Sequence, residues 1–308
     1  MEIKTIAVMG AGAVGGYLIW GYAKKYGENL WVIGKGERGD RLKRDGLVIN
    51  DCHFSLNVKT PEMARGVDLL FVTTKYDGLK ASLEDIAAIA DEHTIVISLL
   101  NGVDSEEIIA GRIGEEHLLY SVIKIASERK DNRIRFNGEK TMGIIYGEKG
   151  ADKHTERVNA VASTFEGTSL HYTVSENIQY DIWAKYILNI SRNLPQAILS
   201  TGAGALTDSE YIALISRRLR EEVIDVAAAK GIDVSDQRED PKLNPFEKRA
   251  RYSTLQDLDN KRHTEIEMFS GAMVRMGKEL GVPVPYNEYT YLLIKALEQK
   301  GDGMFDYT

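Results

Sequence analysis

The first half of the chain alternates between short apolar runs and stretches with helical periodicity. Residues 3–9 and 30–33 are two such runs, and two more, 67–75 and 94–102, end in polar residues. Continuous apolar runs of this length are typical of strands in a parallel sheet that is covered on both faces. The N-terminal part of the chain is therefore predicted to have an α/β fold with a largely parallel sheet.

Further elements follow between these runs and the middle of the chain. The irregular alternation of residues 46–60 predicts short strands at a sheet edge, and residues 118–148 predict further strands. A helix is expected at residues 153–165. Strand patterns end near Val174, so the predicted domain boundary divides the chain into residues 1–174 and 175–308.

The second half predicts helices only. They are expected at residues 178–199 with Pro195 as a kink or stop, at 211–230, around Ser253, at 265–280 and at 286–299. Thr264 and Glu267 have the spacing of a capping box, which would place Glu265 in the first turn of its helix. Residues 235–247 predict a polar loop. The C-terminal domain is thus expected to be all-helical.

Size and composition narrow the class of protein. A chain of 308 residues exceeds the size at which a single core usually stops growing, which fits two domains. With 43% hydrophobic and 28% charged residues it has the composition of a globular protein, and no apolar run approaches the ~18 residues that span a bilayer. The N-terminus lacks the pattern of a signal or transit peptide, which favours a cytoplasmic protein.

Charge and cysteine content limit the partners. A net charge of −7 without a dense Lys/Arg block argues against nucleic acid or an anionic membrane as the main partner. The single cysteine, Cys52, excludes an internal disulfide and a cysteine-based metal site, and no metal is predicted. A small-molecule substrate is the expected partner, and a homodimer is left open.

A glycine-rich segment, residues 10–16, lies between the first strand and a helical stretch. In the pattern G-x-G-x-x-G, Gly10 allows a tight turn, Gly12 lets the backbone approach a pyrophosphate, and Gly15 lets helix and strand pack closely. Glycines also serve ordinary turns, but the strand before and the helix after favour a Rossmann-type dinucleotide-binding domain. The cofactor-binding residues predicted in this loop are Gly10, Ala11, Gly12, Ala13, Val14 and Gly15.

The end of the second strand bears on the choice of cofactor. An NAD enzyme commonly has an acidic residue there for the ribose 2′-hydroxyl, but this segment reads Gly34-Lys35-Gly36-Glu37-Arg38. Lys35 is a cation where a 2′-phosphate would lie, so NADP(H) is favoured over NAD. The alternative is that Lys35 is a solvated loop residue.

Two other strands end in polar residues, Lys75 and Asn101. In open parallel sheets the carboxyl ends of the strands hold the ligand, so both residues are candidates for a site there. The alternatives are an ordinary Asn-Gly turn at Asn101 and a surface ion pair at Lys75.

A polar stripe marks the helix expected at residues 178–199. Lys185, Asn189 and Asn193 recur every fourth residue and would fall within roughly 80° of one another on an α-helix. The remaining positions are mostly apolar, which is typical of a buried helix whose polar side chains meet partners or a cavity. An ordinary solvated stripe is the alternative.

Five segments together resemble one known family, the ketopantoate reductases (2-dehydropantoate 2-reductases). They are the loop 10–16, Val72-Thr73-Thr74-Lys75, Leu100-Asn101-Gly102, Trp183-x-Lys185-x-x-x-Asn189-x-x-x-Asn193, and Ser253-x-Leu255-Gln256-Asp257 with His263-Thr264-Glu265-Ile266. The resemblance covers nearly the whole chain. It implies a Rossmann domain followed by a helical domain, with NADPH and a 2-oxo acid bound between them.

The resemblance also implies roles for individual residues. Lys185 would be the general acid, and Asn189, Asn193 and Ser253 would bind the hydroxyl and carboxylate of the substrate. Lys75, Asn101 and Glu265 would line the nicotinamide and the reacting carbonyl. A lysine beside that carbonyl can donate a proton to the oxyanion that hydride addition creates.

The implied activity is NADPH-dependent reduction of 2-dehydropantoate to (R)-pantoate, a step toward pantothenate and coenzyme A. Two departures leave the 2-oxo acid open: Arg192 stands where the family often has an apolar residue, and residues 199–204 lack an asparagine that some members use. Arg192 is either a second carboxylate clamp or a surface ion pair. The alternatives are a D-2-hydroxyacid dehydrogenase for bulkier 2-oxo acids and a non-catalytic NADP-binding regulatory protein.

Overall fold

The computed structural model describes residues 2–150, 154–239, 247–305 and 307. The chain divides into two compact units, Met1–Asp181 and Ile182–Thr308. The domain boundary expected after residue 174 stays a prediction. Most of the predicted polar loop, residues 240–246, and the first residue of the helix predicted at 153–165 lie outside the described residues.

Two sheets form the framework of the first unit. Its strands are β1 (Ile6–Met9), β2 (Leu30–Ile33), β3 (Leu47–Ile49), β4 (Cys52–Phe54), β5 (Asn57–Lys59), β6 (Leu69–Val72), β7 (Ile95–Ser98), β8 (Leu118–Lys124), β9 (Ser127–Lys130), β10 (Arg133–Phe136), β11 (Gly143–Gly147) and β12 (Tyr172–Val174). Eight of them make one sheet in the order β12-β11-β8-β7-β6-β1-β2-β5. The segment from β8 to β5 is parallel throughout.

The other four strands make a smaller sheet in the order β4-β3-β10-β9. There β3 and β10 are parallel, whereas the two outer pairings are antiparallel. The short strands expected at residues 46–60 are confirmed, but they are shared between the two sheets, with β5 at the edge of the large one. The sequence pattern did not indicate β12, which has only three residues, two of them exposed.

Helices cover the large sheet and bury its apolar strands. They are α1 (Ala13–Tyr26), α2 (Gly36–Asp45), α3 (Tyr76–Ile89), α4 (Ser105–Ile113) and α5 (Glu156–Phe165), with 3₁₀ turns at Gly27–Asn29, Glu62–Ala64 and Glu115–His117. All residues of β1, β6 and β7 are buried. Strands buried on both faces gain roughly 25 cal/mol per Å² of apolar surface removed from water, which explains their unbroken apolar sequences.

Tyr22 of α1 illustrates how this core is closed. Its ring packs on Phe71 of β6 and Phe165 of α5, with centroids 5.9 and 5.6 Å away. Its hydroxyl is hydrogen bonded to the hydroxyl of Thr164 at 2.8 Å, so the buried polar atom has a partner. The predicted α/β fold of Rossmann type is confirmed for this unit.

The second unit is helical throughout its described part. α6 (Ile178–Leu188) crosses from the first unit into it and is followed by a π-helical turn, Asn189–Asn193, and then by α7 (Leu194–Leu199). The other helices are α8 (Ala205–Asp208), α9 (Glu210–Ala229), α10 (Ser253–Asp259), α11 (Ser270–Leu280) and α12 (Pro285–Gly301), with a 3₁₀ turn at Ser235–Arg238. The expected all-helical architecture is confirmed.

Two details of the helical prediction are wrong. The stretch 178–199 is not one α-helix, because residues 189–193 form a wider turn with i→i+5 geometry. The helix expected from Glu265 begins only at Ser270. Thr264 does not form the predicted capping box, because its backbone N–H and its hydroxyl both donate to Glu298 Oε1 at 2.7 Å.

Candidate functional site

The glycine-rich loop packs tightly against the end of β6. Gly10 has φ +113°, and a Cβ there would lie 2.6 Å from the carbonyl oxygen of Thr73. The Thr73 hydroxyl donates to Gly10 O at 2.5 Å. A Cβ on Gly15 would lie 1.9 Å from Gly10 O. These two positions require glycine for the turn and for the approach of helix to strand.

Gly12 differs from its neighbours in facing open space. No atom lies within 4 Å of the position that a Cβ would take there. It is the N-cap residue of α1, so its backbone lies beside the free N–H groups at the start of that helix. The predicted residues Ala11, Ala13 and Val14 complete this loop and the first turn. An anionic group has access to the helix N-terminus on this side.

Strand register places Lys75 and Asn101 at the same edge of the sheet. β6 and β7 are parallel neighbours with Val72 opposite Ser98, and each polar residue follows three positions later. Lys75 is exposed and is the N-cap residue of α3, whereas Asn101 is partly buried. The two loops that carry them are joined, because the Tyr76 hydroxyl donates to Asp104 Oδ2 at 2.5 Å.

A buried carboxyl group lies just beyond Asn101. Glu106 is 3% exposed and accepts hydrogen bonds from the Ser105 hydroxyl at 2.8 Å and from the Ser121 N–H at 3.3 Å. Ser105 is in turn hydrogen bonded to the hydroxyl of Ser98, the last residue of β7. Burial raises the pKa of Glu106 to about 7, although these hydrogen bonds oppose the shift. Glu106 belongs to no motif that would indicate its burial from the sequence.

Lys35 is engaged by another side chain. It is the N-cap residue of α2, and its Nζ lies 2.7 Å from Asp85 Oδ1 on α3. The lysine side chain remains 63% exposed. Its role toward a 2′-phosphate therefore stays a prediction.

Three arginines lie near the glycine loop, and none of them was predicted from the sequence to be a site residue. A cavity of about 390 Å³ is lined by Ala11, by Arg38 and Arg41 of α2, and by Arg129 of β9. Arg129 Nη1 donates to Ala11 O at 2.7 Å. The i, i+3 spacing of Arg38 and Arg41 would have placed them on one face of a helix, but the helix α2 was not predicted. Arg129 is too distant in sequence to be connected with them.

In the second unit, the residues predicted from the polar stripe lie on α6 and on the π-helical turn. Lys185 and Asn189 are partly buried, and Asn193 is 9% exposed. Asn193 Nδ2 donates to Asn189 Oδ1 at 3.4 Å, so these two amides are adjacent. Arg192 is partly buried and also lies in the π-helical turn.

Buried side chains fix the segments around this stripe. Gln196 is 1% exposed, donates to Ala250 O at 2.8 Å and accepts from the Tyr252 N–H at 2.7 Å. It thereby attaches the start of α10, where Ser253 is the first residue, to α7. Arg220 Nη2 donates to the Ser191 hydroxyl of the π-helical turn at 3.1 Å. Neither Gln196 nor Arg220 belongs to a motif that would indicate this role from the sequence.

Hydrogen bonds attach the segment that contains Glu265 to α6. The hydroxyl of Tyr186, the neighbour of Lys185, donates to Phe269 O at 2.7 Å and Met268 O at 3.2 Å. The N–H groups of Met268 and Phe269 donate to Glu265 O. Glu265 thus lies in an irregular turn that Tyr186 attaches to the helix carrying Lys185.

Comparison with known proteins identifies the family. The model described as "Ketopantoate reductase PanE/ApbA" matches residues 6–148. The model described as "Ketopantoate reductase PanE/ApbA C terminal" matches residues 177–298. The chain belongs to the ketopantoate reductase family. The resemblance noted from the sequence motifs and the prediction of an oxidoreductase are confirmed.

Relatives in the ketopantoate reductase family match over nearly the full length. The 2-dehydropantoate 2-reductase of Pyrococcus horikoshii is 29% identical over 303 residues, which are 97% of this chain and 99% of the relative. That of Archaeoglobus fulgidus is 25% identical over 299 residues, with the same coverage of 97% and 99%.

Solved structures are similar as well. A PanE/ApbA family ketopantoate reductase from Ralstonia eutropha is 25% identical, with a TM-score of 0.78 and coverage of 97% of this chain and 99% of the other. A D-mandelate dehydrogenase in complex with NADH is 26% identical, with a TM-score of 0.81 and coverage of 96% and 99%. The fold is therefore shared between enzymes with different substrates.

Two negative findings concern the described ranges of the chain. No helix there is long and apolar enough to cross a membrane. Within the same ranges, His, Cys, Asp and Glu side chains do not gather in groups of three or more that could hold a metal ion.

Proposed function

We propose that this ketopantoate reductase family member reduces 2-dehydropantoate to (R)-pantoate with NADPH. The observation that carries the proposal is the set of polar residues on α6 and the π-helical turn, Lys185, Asn189 and Asn193, in a chain whose curated relatives are 2-dehydropantoate 2-reductases. The product would serve pantothenate and coenzyme A synthesis.

The N-terminal unit fits a nicotinamide dinucleotide. Its glycine loop leaves the backbone of Gly12 open to an anion, while Lys75 and Asn101 stand at the carboxyl ends of neighbouring strands. Those ends are where ligands bind in open parallel sheets. When bound, the nicotinamide supplies the hydride that reduces C2 of the 2-oxo acid.

The protein's own groups would handle binding and the proton. Lys185 is proposed to donate a proton to the oxygen on C2, and its positive charge would stabilise that oxygen as negative charge develops. Asn189, Asn193 and Ser253 would bind the carboxylate and hydroxyl of the substrate. Glu265 would orient the lysine or the cofactor.

Turnover of a panel of 2-oxo acids tests the substrate. Oxidation of NADPH is followed by absorbance with ketopantoate, phenylglyoxylate and a branched 2-oxo acid. We expect the highest kcat/KM with ketopantoate. A higher value with phenylglyoxylate would instead favour a D-2-hydroxyacid dehydrogenase, the function that the similarity to D-mandelate dehydrogenase supports.

Lys185→Ala tests the proton donor. Because general acid catalysis contributes on the order of 10²–10⁴-fold, kcat should fall by at least about 100-fold. Lys278→Ala, an exposed lysine of α11, is the matched control and should retain wild-type activity. Unchanged activity in Lys185→Ala would exclude the assigned role. A lack of turnover in the wild type with every acid would favour a non-catalytic NADP-binding protein.

Homodimer formation and a cytoplasmic location remain part of this proposal. Sedimentation of the purified protein measures the first, and cell fractionation measures the second.

A further inference from the structure

The cavity beside the glycine loop brings three positive charges together from separate elements. Arg38 and Arg41 stand one turn apart on α2, and Arg129 reaches the opposite wall from β9 of the small sheet. All three lie in the N-terminal unit. Two carboxylate residues, Asp45 and Asp131, also line the cavity.

The two carboxylates offset the charges of the three arginines only in part. Asp45 is bound by a different residue, Arg44, at 2.7 and 2.9 Å. Arg129 donates to backbone carbonyl groups, through Nη1 to Ala11 O and through Nε to Asp131 O, both at 2.7 Å. Across the described residues, no salt bridge involves Arg38, Arg41 or Arg129. The cavity lining therefore carries a net positive charge, with three arginines and two aspartates.

The neighbouring charges act on the guanidinium of Arg129. Burial is the largest cause that lowers its pKa, Arg38 and Arg41 lower it further, and Asp131 opposes the shift. Like charges so placed repel one another, and a bound anion would relieve that repulsion. Guanidinium groups suit phosphate because they donate two hydrogen bonds in a fixed planar geometry.

The position of the cavity indicates which phosphate it would hold. It runs from Ala11 of the glycine loop to α2, the helix that begins after β2. In dinucleotide-binding folds the ribose 2′ position lies at this strand end, and an arginine nearby accommodates a 2′-phosphate. Lys35, the residue that the sequence favoured, is held instead by Asp85 on α3.

We propose that Arg38, Arg41 and Arg129 form the site for the 2′-phosphate of NADP(H), with Arg129 also fixing the small sheet to the glycine loop. The inference rests on the proposed use of NADPH and names the residues that select it. It does not depend on which 2-oxo acid is reduced.

Binding measurements test the site without turnover. Dissociation constants for NADPH, NADH and 2′,5′-ADP are measured by calorimetry for the wild type and for Arg38→Ala, Arg41→Ala and Arg129→Ala. Arg38→Ala and Arg41→Ala should each weaken NADPH and 2′,5′-ADP by about 10- to 100-fold and change NADH by less than about twofold, because NADH lacks the phosphate. Arg129→Ala also removes the hydrogen bond to Ala11 O, so it should lower the affinity for both dinucleotides but weaken NADPH more than NADH. Lys43→Ala, an exposed cation on α2 outside the cavity lining, is the matched control and should change none of them.

Several results would overturn the assignment. If the substitutions weakened the binding of NADPH and NADH equally, the arginines would contact a part of the cofactor that both dinucleotides share. Unchanged NADPH affinity, or a larger loss in Lys35→Ala than in Arg41→Ala, would remove the cavity from 2′-phosphate recognition. The thermal unfolding of each variant is measured to show that the substituted protein is folded. If the wild type reduces no 2-oxo acid but shows the arginine dependence, the catalytic proposal fails and this one stands.

Discussion

The two units position their candidate residues by different means. In the N-terminal unit, Lys75 and Asn101 follow from strand register, since both stand three residues beyond a paired position of β6 and β7. In the C-terminal unit, buried side chains such as Gln196 connect segments that are far apart in sequence. Strand register thus places the candidate residues of the first unit, whereas side-chain hydrogen bonds hold the segment of Ser253 in the second.

Gly15→Ala should have the largest effect, because it breaks backbone packing in the first unit. The added Cβ would lie 1.9 Å from Gly10 O and 2.9 Å from the Thr73 hydroxyl, so the loop or helix must move. We expect a loss on the order of 4 kcal/mol in the free energy of unfolding, measured by urea denaturation without cofactor.

Gly12→Ala is the matched control for that experiment. Its Cβ would meet no atom within 4 Å, so stability should remain near that of the wild type. Its affinity for NADPH should fall, because the methyl group would occupy the open face of the loop. Equal stability of both variants would show that the loop is not packed as described.

Gln196→Met is the corresponding change in the second unit. It removes both hydrogen bonds of a side chain that is 1% exposed and leaves Ala250 O and the Tyr252 N–H without this partner. The Tyr252 N–H would be left unsatisfied, at a cost of about 1–3 kcal/mol. Ala250 O keeps its hydrogen bond from the Ala203 N–H and loses only one bond, worth about 1 kcal/mol, so stability should fall by roughly 2–4 kcal/mol. KM for the 2-oxo acid should rise as the start of α10 loosens around Ser253.

The control is Gln256→Met, which removes an exposed hydrogen bond of the same kind to Arg251 O. Its stability should stay within about 0.5 kcal/mol of the wild type. If both glutamine variants lose the same stability, burial of Gln196 is not what holds α10 in place.

Glu106→Gln tests the buried acid beneath the strand ends. Burial raises the pKa of Glu106 to about 7, so between pH ~4.5 and ~7 the native state holds a proton that the unfolded state has lost. Stability contributed by this group is complete below pH ~4.5 and falls by roughly 3 kcal/mol as the pH rises through 7.

Glutamine cannot ionise, so this component of the pH dependence should vanish when unfolding free energies are measured from pH 4.5 to 8. Glu107→Gln, an exposed neighbour on α4, should keep the wild-type curve. Superimposable curves for wild type and Glu106→Gln would contradict the raised pKa.

Tyr76→Phe should have the smallest effect. It removes the hydrogen bond to Asp104 Oδ2 that joins the loops of Lys75 and Asn101, which should cost about 1 kcal/mol and weaken NADPH binding severalfold. Tyr172→Phe, on the edge strand β12, is the control. Equal NADPH affinity in the two variants would mean that this bridge does not position the strand ends.

The same contrast explains what the sequence could predict. Apolar periodicity and the glycine loop located β1, β2, β6 and β7 because those features are local. The capping-box spacing of Thr264 and Glu267 failed because the Thr264 N–H, which Glu267 would bind, donates instead to Glu298, which is 34 residues away. Distant contacts of this kind override local preference.

For the candidate site, the spacing of every fourth residue indicated Lys185, and the position after an apolar run indicated Lys75 and Asn101. The roles of these residues stay predictions. The arginine cavity was not predictable, because Arg129 joins Arg38 and Arg41 only after the small sheet has formed. Gln196 and Glu106 carry no motif, and their importance comes from burial that only the folded chain shows.

The π-helical turn also affects how related chains are aligned. A turn closed by i→i+5 hydrogen bonds accommodates one residue more than an α-helical turn. A homologue that closes the same turn as an α-helix would need one residue fewer between Lys185 and Pro195. An alignment without a gap there would then pair Asn193 with a residue on a different face, so the positions after Leu188 are best matched by structure.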